Sequence, residues 1–195
     1  MTNNQVGSQL GKYQIQTEIG KGGMGQVFLG YDAMLERQVA IKVLAPHLVW
    51  ETGFVERFLR EARAAARLKH SSIVTIYDVG QEGNNYYIVM EYLEGPTLAQ
   101  LIGQRGPQSS KIALPILGQL AGALDYAHSC GLVHRDVKPG NVIVSPSGHV
   151  TLTDFGVARA AQESRLTSTG SLVGTPQYMS PEHAQGEEVD YRSDI

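Results

Sequence analysis

The chain has a single cysteine, Cys130, in 195 residues, so no internal disulfide framework can form and a reducing compartment suits it. No histidine lies at a meaningful spacing from Cys130, and a buried, inert thiol is the expectation. Cationic excess is also missing. The formal net charge of −3 gives no electrostatic reason to propose nucleic acid as a partner. No apolar run approaches the ~18 residues that a membrane span needs. Residues 1–5 lack the charged-then-apolar pattern of a secretion signal, and there is no internal repeat. What is present, 42% hydrophobic and 18% charged residues, describes a globular chain long enough for one large domain or two small lobes. Residues 1–12 read as a disordered lead-in.

The chemistry concentrates in Val133-His134-Arg135-Asp136-Val137-Lys138-Pro139-Gly140-Asn141, with Asp154-Phe155-Gly156 thirteen positions on. Two short strands, Val142-Ile143-Val144 and Val150-Thr151-Leu152, separate the motifs, and Ser145-Pro146-Ser147-Gly148 turns between them. That hairpin would return Asp154 to the side of Asn141. One carboxylate, Asp136, can accept a hydroxyl proton, while the Asn141 oxygen and Asp154 can hold Mg²⁺. Lys138 can neutralise a migrating phosphoryl group. Read singly, Asp136 is a helix cap and Asn141 a turn residue; read jointly, they ask for phosphoryl transfer. His134 and Phe155 are expected to pack and align the two motifs.

Earlier in the chain, a strand over 13–18 leads into Ile19-Gly20-Lys21-Gly22-Gly23-Met24-Gly25-Gln26-Val27. Glycines 20, 22 and 25 have the G-x-G-x-x-G spacing that lets backbone amides approach phosphates. A dinucleotide-binding turn would need a helix directly afterwards. The next residues, Val27-Phe28-Leu29-Gly30-Tyr31, are instead β-branched and aromatic, which favours strand–loop–strand; a plain Gly-rich hairpin is the blander alternative. In the strand Gln38–Leu44, alternation puts Ala40 and Lys42 on one face and Val39, Ile41 and Val43 on the other. Phe54, Phe58, Glu61, Ala65 and Leu68 are spaced 4, 3, 4, 3 and share one helix face. Glu61 is thus a carboxylate planted in an apolar stripe, where a charge needs a partner, and Lys42 is the obvious one.

Strands are expected over 70–77 and 86–92, making five in all beside one helix. Glu94-Gly95-Pro96 breaks the pattern as a linker. A long helix over 109–129 buries Ile112, Ile116, Leu120, Leu124 and Ala127 and stops at Gly131. His128 lies on that side and reads as a core histidine; His70 reads as a structural loop residue. Residues 157–175 are small and polar, rich in Ser and Thr. Phosphorylation of Thr169 or Thr167 would supply an anion for Arg135.

Together the glycine loop, Lys42, Glu61, His134-Arg135-Asp136 with Lys138 and Asn141, Asp154-Phe155-Gly156 and Gly174-Thr175 with Ser180-Pro181-Glu182 resemble the protein kinase family. The likeness is to the bacterial Ser/Thr type and covers about residues 13–195. The resemblance implies an α+β, bilobal fold, with a first lobe over 13–93 and part of a second over 94–195. It implies that the chain transfers phosphate from ATP, with Mg²⁺ (Mn²⁺ as an alternative), to Ser/Thr hydroxyls of proteins. Asp136, Lys138, Lys42 and Glu61 would be catalytic, and Asn141 and Asp154 would bind metal. ATP would contact Ile19, Gly20, Lys21, Gly22, Gly23, Met24, Gly25, Gln26 and Val27 in the loop, then Ala40, Lys42, Glu91, Leu93 and Ile143, with Met90 behind. A homodimer for autophosphorylation and a cytoplasmic location, free or as the domain of a membrane-anchored protein, follow as expectations.

Ser180 stands where the more familiar pattern has Ala. The resemblance further implies a domain running on past Ile195, which would supply an Arg for Glu182. Asp194, beside Ser193 at an expected helix start, would brace the catalytic loop. Two rivals remain: a small-molecule kinase, which would lack the Ser/Thr-rich segment, and a pseudokinase, which would lack a catalytic position.

Overall fold

A computed structural model describes residues 6–155 and 176–195. Six strands form one antiparallel sheet in the order β1-β2-β3-β4-β6-β5. They are β1 (Gln9–Leu10), β2 (Tyr13–Gly22), β3 (Gly25–Asp32), β4 (Arg37–Leu44), β5 (Ile76–Glu82) and β6 (Asn85–Glu91). The expected alternation in β4 holds. Val39 and Ile41 are fully buried against Phe28, Tyr87 and Val89, while Ala40 joins a separate cluster with Val74 and Met90 on the opposite face. The short helix α1 (Pro46–Val49) leads to α2 (Phe54–Ala65), whose Phe54, Phe58 and Ala62 are fully buried against Leu44, Leu48 and Ile88. Each such phenylalanine stabilises the fold by ~1.5–3 kcal/mol through burial.

The second part contains α3 (Leu98–Arg105), α4 (Ser110–Ser129), the hairpin β7 (Val142–Val144) and β8 (Val150–Leu152), and a short helix α5 (Pro181–Gln185). Its core joins Leu120, Ala123, Leu124 and Ala127 of α4 to Val142, Val150, Leu152 and Phe155. Ala65 and Leu68 belong to this core too, so α2 is anchored in both parts. Gly131, at φ 76, ends α4 in the left-handed conformation that favours glycine.

Several expectations are corrected. The lead-in over 1–12 is not wholly disordered: Leu10 is buried, and β1 pairs with β2 through Gln9↔Gln14 and Leu10↔Tyr13. The sheet therefore has six strands, not five. The strand expected over 70–77 starts only at Ile76. Residues 72–74 are buried alongside β8 instead: Leu152 N–H donates to Ser72 O (2.9 Å) and Val74 N–H to Leu152 O (3.0 Å). Helix α3 adds to the expected elements, and Thr97 and Gln100 close a reciprocal capping box at its start. Cys130 is exposed rather than buried, because it caps α4 where the chain turns away from the core. Ile112 is 49% exposed rather than buried, and the apolar face of α4 meets the core only from Ile116 onward.

Two stitches fix the cleft between the parts. One is the 72–74 segment on β8. The other is the linker, where Val144 N–H donates to Pro96 O (3.0 Å). A Cβ at Gly95, φ 137, would collide with the Val144 carbonyl, so this approach requires glycine.

Candidate active site

The glycine-rich stretch is a twisted hairpin across the top of the cleft rather than a separate loop. β2 and β3 run together to the pair Gly22↔Gly25, with Gly23 and Met24 at the turn. Lys21 faces Gln26 in register, Gly20 faces Val27, and Ile19 is about half-exposed. Gly25, at φ 150, passes so close to Val43 O that any Cβ would collide with it. Met24 O accepts from Ala45 N–H at 2.9 Å, which ties the turn to the end of β4. Beneath the hairpin, Val27, Ala40, Val74, Met90 and Leu93 form one apolar cluster. Glu91 N–H is spent on Thr75 O (2.9 Å), whereas Leu93 N–H makes no hydrogen bond among the described residues. Ile143, half-buried on β7, is paired with Thr151 and bridged to Thr97 outside that cluster.

Lys42 is 7% exposed, and its ammonium lies 2.7 Å from Asp154 Oδ1. Glu61, the partner expected from the sequence, is buried on α2 as its helix face predicts. Asp154 sits in the left-handed region at φ 63, and its carboxylate reaches the lysine. Burial pushes the Asp154 carboxyl up, yet the Lys42 charge and hydrogen bond outweigh that and leave it below the ordinary carboxylate range.

Opposite stands Asp136. Lys138 Nζ donates to both its oxygens, at 3.0 and 2.7 Å. The Asn141 amide nitrogen donates to Asp136 O (2.8 Å) and Oδ2 (2.9 Å). With its nitrogen committed, Asn141 keeps its side-chain oxygen as the available acceptor. A 3₁₀ turn over Pro139–Asn141 and a bond from Thr153 N–H to Asn141 O (2.8 Å) set that amide beside the 153–154 backbone, as the hairpin spacing predicts. Among the described residues, no three His, Cys, Asp or Glu side chains are gathered to hold a metal by themselves. The Asn141 side-chain oxygen and the Asp154 carboxylate are oxygen donors of the kind a hard divalent cation accepts together with phosphate and water.

His134 underlies both motifs. It is fully buried, and its ring packs tilted at 59° against Phe155 with centroids 4.5 Å apart. Burial pulls the imidazole below its ordinary value, against the opposing pull of Thr153 O and Asp194, so it stays neutral. Its Nδ1 accepts from Asp136 N–H (3.2 Å), which puts the proton on Nε2 for donation to Thr153 O (2.9 Å). One ring therefore fixes the residue before Asp154 and the backbone of Asp136. Asp194 completes the frame from below: it accepts from His134 N–H (2.8 Å) and Arg135 N–H (2.6 Å). Arg135 is held at φ 68, a conformation that costs a non-glycine residue ~1–3 kcal/mol and persists only where the surroundings enforce it. The cap expected at Ser193 or Asp194 is instead Asp190, one turn earlier, which frees Asp194 for this bracing. Glu182 accepts from the Ser193 hydroxyl.

The match to known proteins is now decisive, since the protein kinase domain family covers residues 13–195. The chain belongs to the protein kinase domain family. It is 47% identical over 184 residues to a probable serine/threonine-protein kinase of Clostridium acetobutylicum, covering 94% of this chain and 28% of that protein. Against the serine/threonine-protein kinase PrkC of Bacillus subtilis it is 45% identical over 185 residues, covering 95% and 28%. It also resembles the crystal structure of the Mycobacterium tuberculosis PknI kinase domain, with a TM-score of 0.78 at 35% identity, over 96% of this chain and 69% of that one. The kinase chain thus spans little more than a quarter of the length of these curated relatives. Its fold is that of the family, an antiparallel-sheet lobe beside a helical one, and the family uses nucleotide and a divalent metal on protein substrates. Among the described residues no helix is long and apolar enough to cross a membrane.

Of the residues singled out in the sequence, the kinase cleft gathers Lys42 with Asp154, and Asp136 with Lys138 and Asn141. Glu61 is buried on α2, and Thr167, Thr169 and Thr175 lie outside the described residues. The contact that sequence reasoning missed is His128 Nε2 to Asp194 Oδ2 (2.7 Å). The two residues are 66 positions apart, and no local pattern links them.

Proposed function

We propose that this chain transfers the γ-phosphoryl group of MgATP to serine and threonine hydroxyls of proteins. The observation that carries the reading is the meeting, across one cleft, of a lysine–aspartate pair with an aspartate held by a lysine and an asparagine. Val27, Ala40 and Leu93 offer the purine an apolar slot, with the open Leu93 N–H at its edge. The hairpin from Ile19 to Val27 covers the phosphates with backbone, and Lys42 turns to them from Asp154. Asn141 and Asp154 would hold Mg²⁺, which offsets charge on the β- and γ-phosphates.

Asp136 orients the incoming hydroxyl and takes its proton as the oxygen–phosphorus bond forms and the bond to the ADP oxygen breaks. Lys138, already on Asp136, is placed to meet the migrating charge. Most of the acceleration comes from positioning and electrostatics. Lys138 and the Gly174-Thr175 and Ser180-Pro181-Glu182 stretches favour Ser/Thr proteins over small molecules as acceptors. Self-phosphorylation at Thr167 or Thr169 between two copies, in the cytoplasm, belongs to the same proposal.

The test is Asp136→Asn in the purified whole protein, with phosphate transfer followed by radiolabel and nucleotide binding by titration. Transfer falls by at least a thousandfold while nucleotide affinity stays within about threefold, as for a group acting only in the transition state. Turnover equal to wild type refutes the assignment.

A further inference from the structure

The His128–Asp194 contact has no part in the function described so far. His128 sits in the last turn of α4, with its side chain 13% exposed, and approaches a carboxylate whose own side chain is fully buried. Asp194 Oδ2 also takes the His134 N–H, and Oδ1 takes the Arg135 N–H. A buried carboxylate with three donors is fixed in place; with two it can rotate, and rotation would loosen the Arg135 peptide from its left-handed conformation. That peptide immediately precedes Asp136. The Tyr191 ring lies 5.8 Å from the His128 ring, so the imidazole is also packed from the other side.

We propose that His128 is a positioning residue for phosphoryl transfer: by donating to Asp194 it locks the carboxylate that shapes the backbone under Asp136. The proposal rests on the kinase reading above. It predicts an effect on turnover, with the nucleotide slot, formed by other residues, left as it is. Because His128 acts only through Asp194, its contribution vanishes once Asp194 can no longer transmit it.

The experiment is a double-mutant cycle in the purified whole protein, with His128→Phe, Asp194→Asn and the pair, plus His128→Gln. Phenylalanine keeps a ring against Tyr191 and removes the donor; glutamine keeps a donor. Loss of one hydrogen bond to a buried charge predicts a fall in kcat of roughly ten- to thirtyfold for His128→Phe. The KM for nucleotide and its directly measured Kd should stay within about twofold, since the lost contact acts after binding. His128→Gln recovers most of the rate, and adding His128→Phe to Asp194→Asn changes kcat by less than about twofold. Wild-type kcat in His128→Phe overturns the proposal, as does a full additional loss in the Asp194→Asn background or failure of glutamine to rescue. If the phenylalanine variant is too unstable to assay, the glutamine variant decides: a rate no better than that of Asp194→Asn overturns the proposal. Failure of the kinase reading itself shows separately, as transfer surviving Asp136→Asn.

Discussion

In the sheet, Phe28, Val39 and Ile41 are at most 1% exposed, and each strand is held to its neighbours by a ladder of backbone bonds. In the loop from His134 to Asn141, regular structure is limited to one 3₁₀ turn, and the backbone is held by side chains instead. Asp194 takes two of its N–H groups, His134 a third, and Asn141 binds the Asp136 carbonyl. The first region is ordered by burial and repetition, the second by a few charged or polar atoms with fixed roles. Losses should therefore appear as stability in the sheet and as rate in the loop.

The largest separation comes from Phe28→Ala. Emptying that site removes ~3–5 kcal/mol of folding stability, the usual range for a phenylalanine cut to alanine in a core. The fraction that remains folded should phosphorylate at the wild-type rate per molecule, because Phe28 contacts the sheet core and not the cleft. Urea unfolding with active-site titration checks this; a rate loss larger than the folded fraction explains would break the contrast.

Asp194→Asn should invert that pattern. The substitution keeps volume and one oxygen but removes the charge that gathers two peptide N–H groups and His128. We expect kcat to fall about a hundredfold, from loss of charge-assisted bonds worth ~1.5–3 kcal/mol each, with only a modest change in melting. Unchanged kcat with a collapsed melting temperature would put the loop in the same class as the sheet.

The same division explains what the sequence made legible. Alternation in β4 and the 4, 3, 4 spacing from Phe54 to Ala65 on α2 report burial along one element, and the structure follows both, although the helix ends before Leu68. The Asp136–Lys138–Asn141 set was legible because a stretch of six residues cannot scatter them. What escaped was pairing between elements. Residues 72–74 have the composition of a strand, yet nothing local says that β8 is their partner. The contact of Lys42 with Asp154 depends on the left-handed backbone at Asp154, which no residue type there announces. His128 reads as apolar-face packing until Asp194 is folded beneath it.

The smallest effect concerns acid. His134 is buried and its proton affinity is depressed, so below the ordinary histidine value of ~6.5 the unfolded chain binds a proton that the folded one refuses. Stability from this group is therefore full above pH ~6.5 and declines as pH falls toward the lowered folded value, by at most ~1.4 kcal/mol per pH unit for one proton. Asp154 adds a similar decline only further down, below its unfolded value of ~3.9, since its folded affinity is lowered as well. Between pH 6.5 and 5 the two regions should then part company. Urea midpoints will drift down in wild type, and His134→Asn, which offers an uncharged donor and acceptor, should flatten that drift while leaving the steeper loss near pH 4 in place. A wild-type curve already flat from pH 7 to 5 would mean that the imidazole accepts its proton in the fold, and with it that the bond from Asp136 N–H to Nδ1 does not hold the loop.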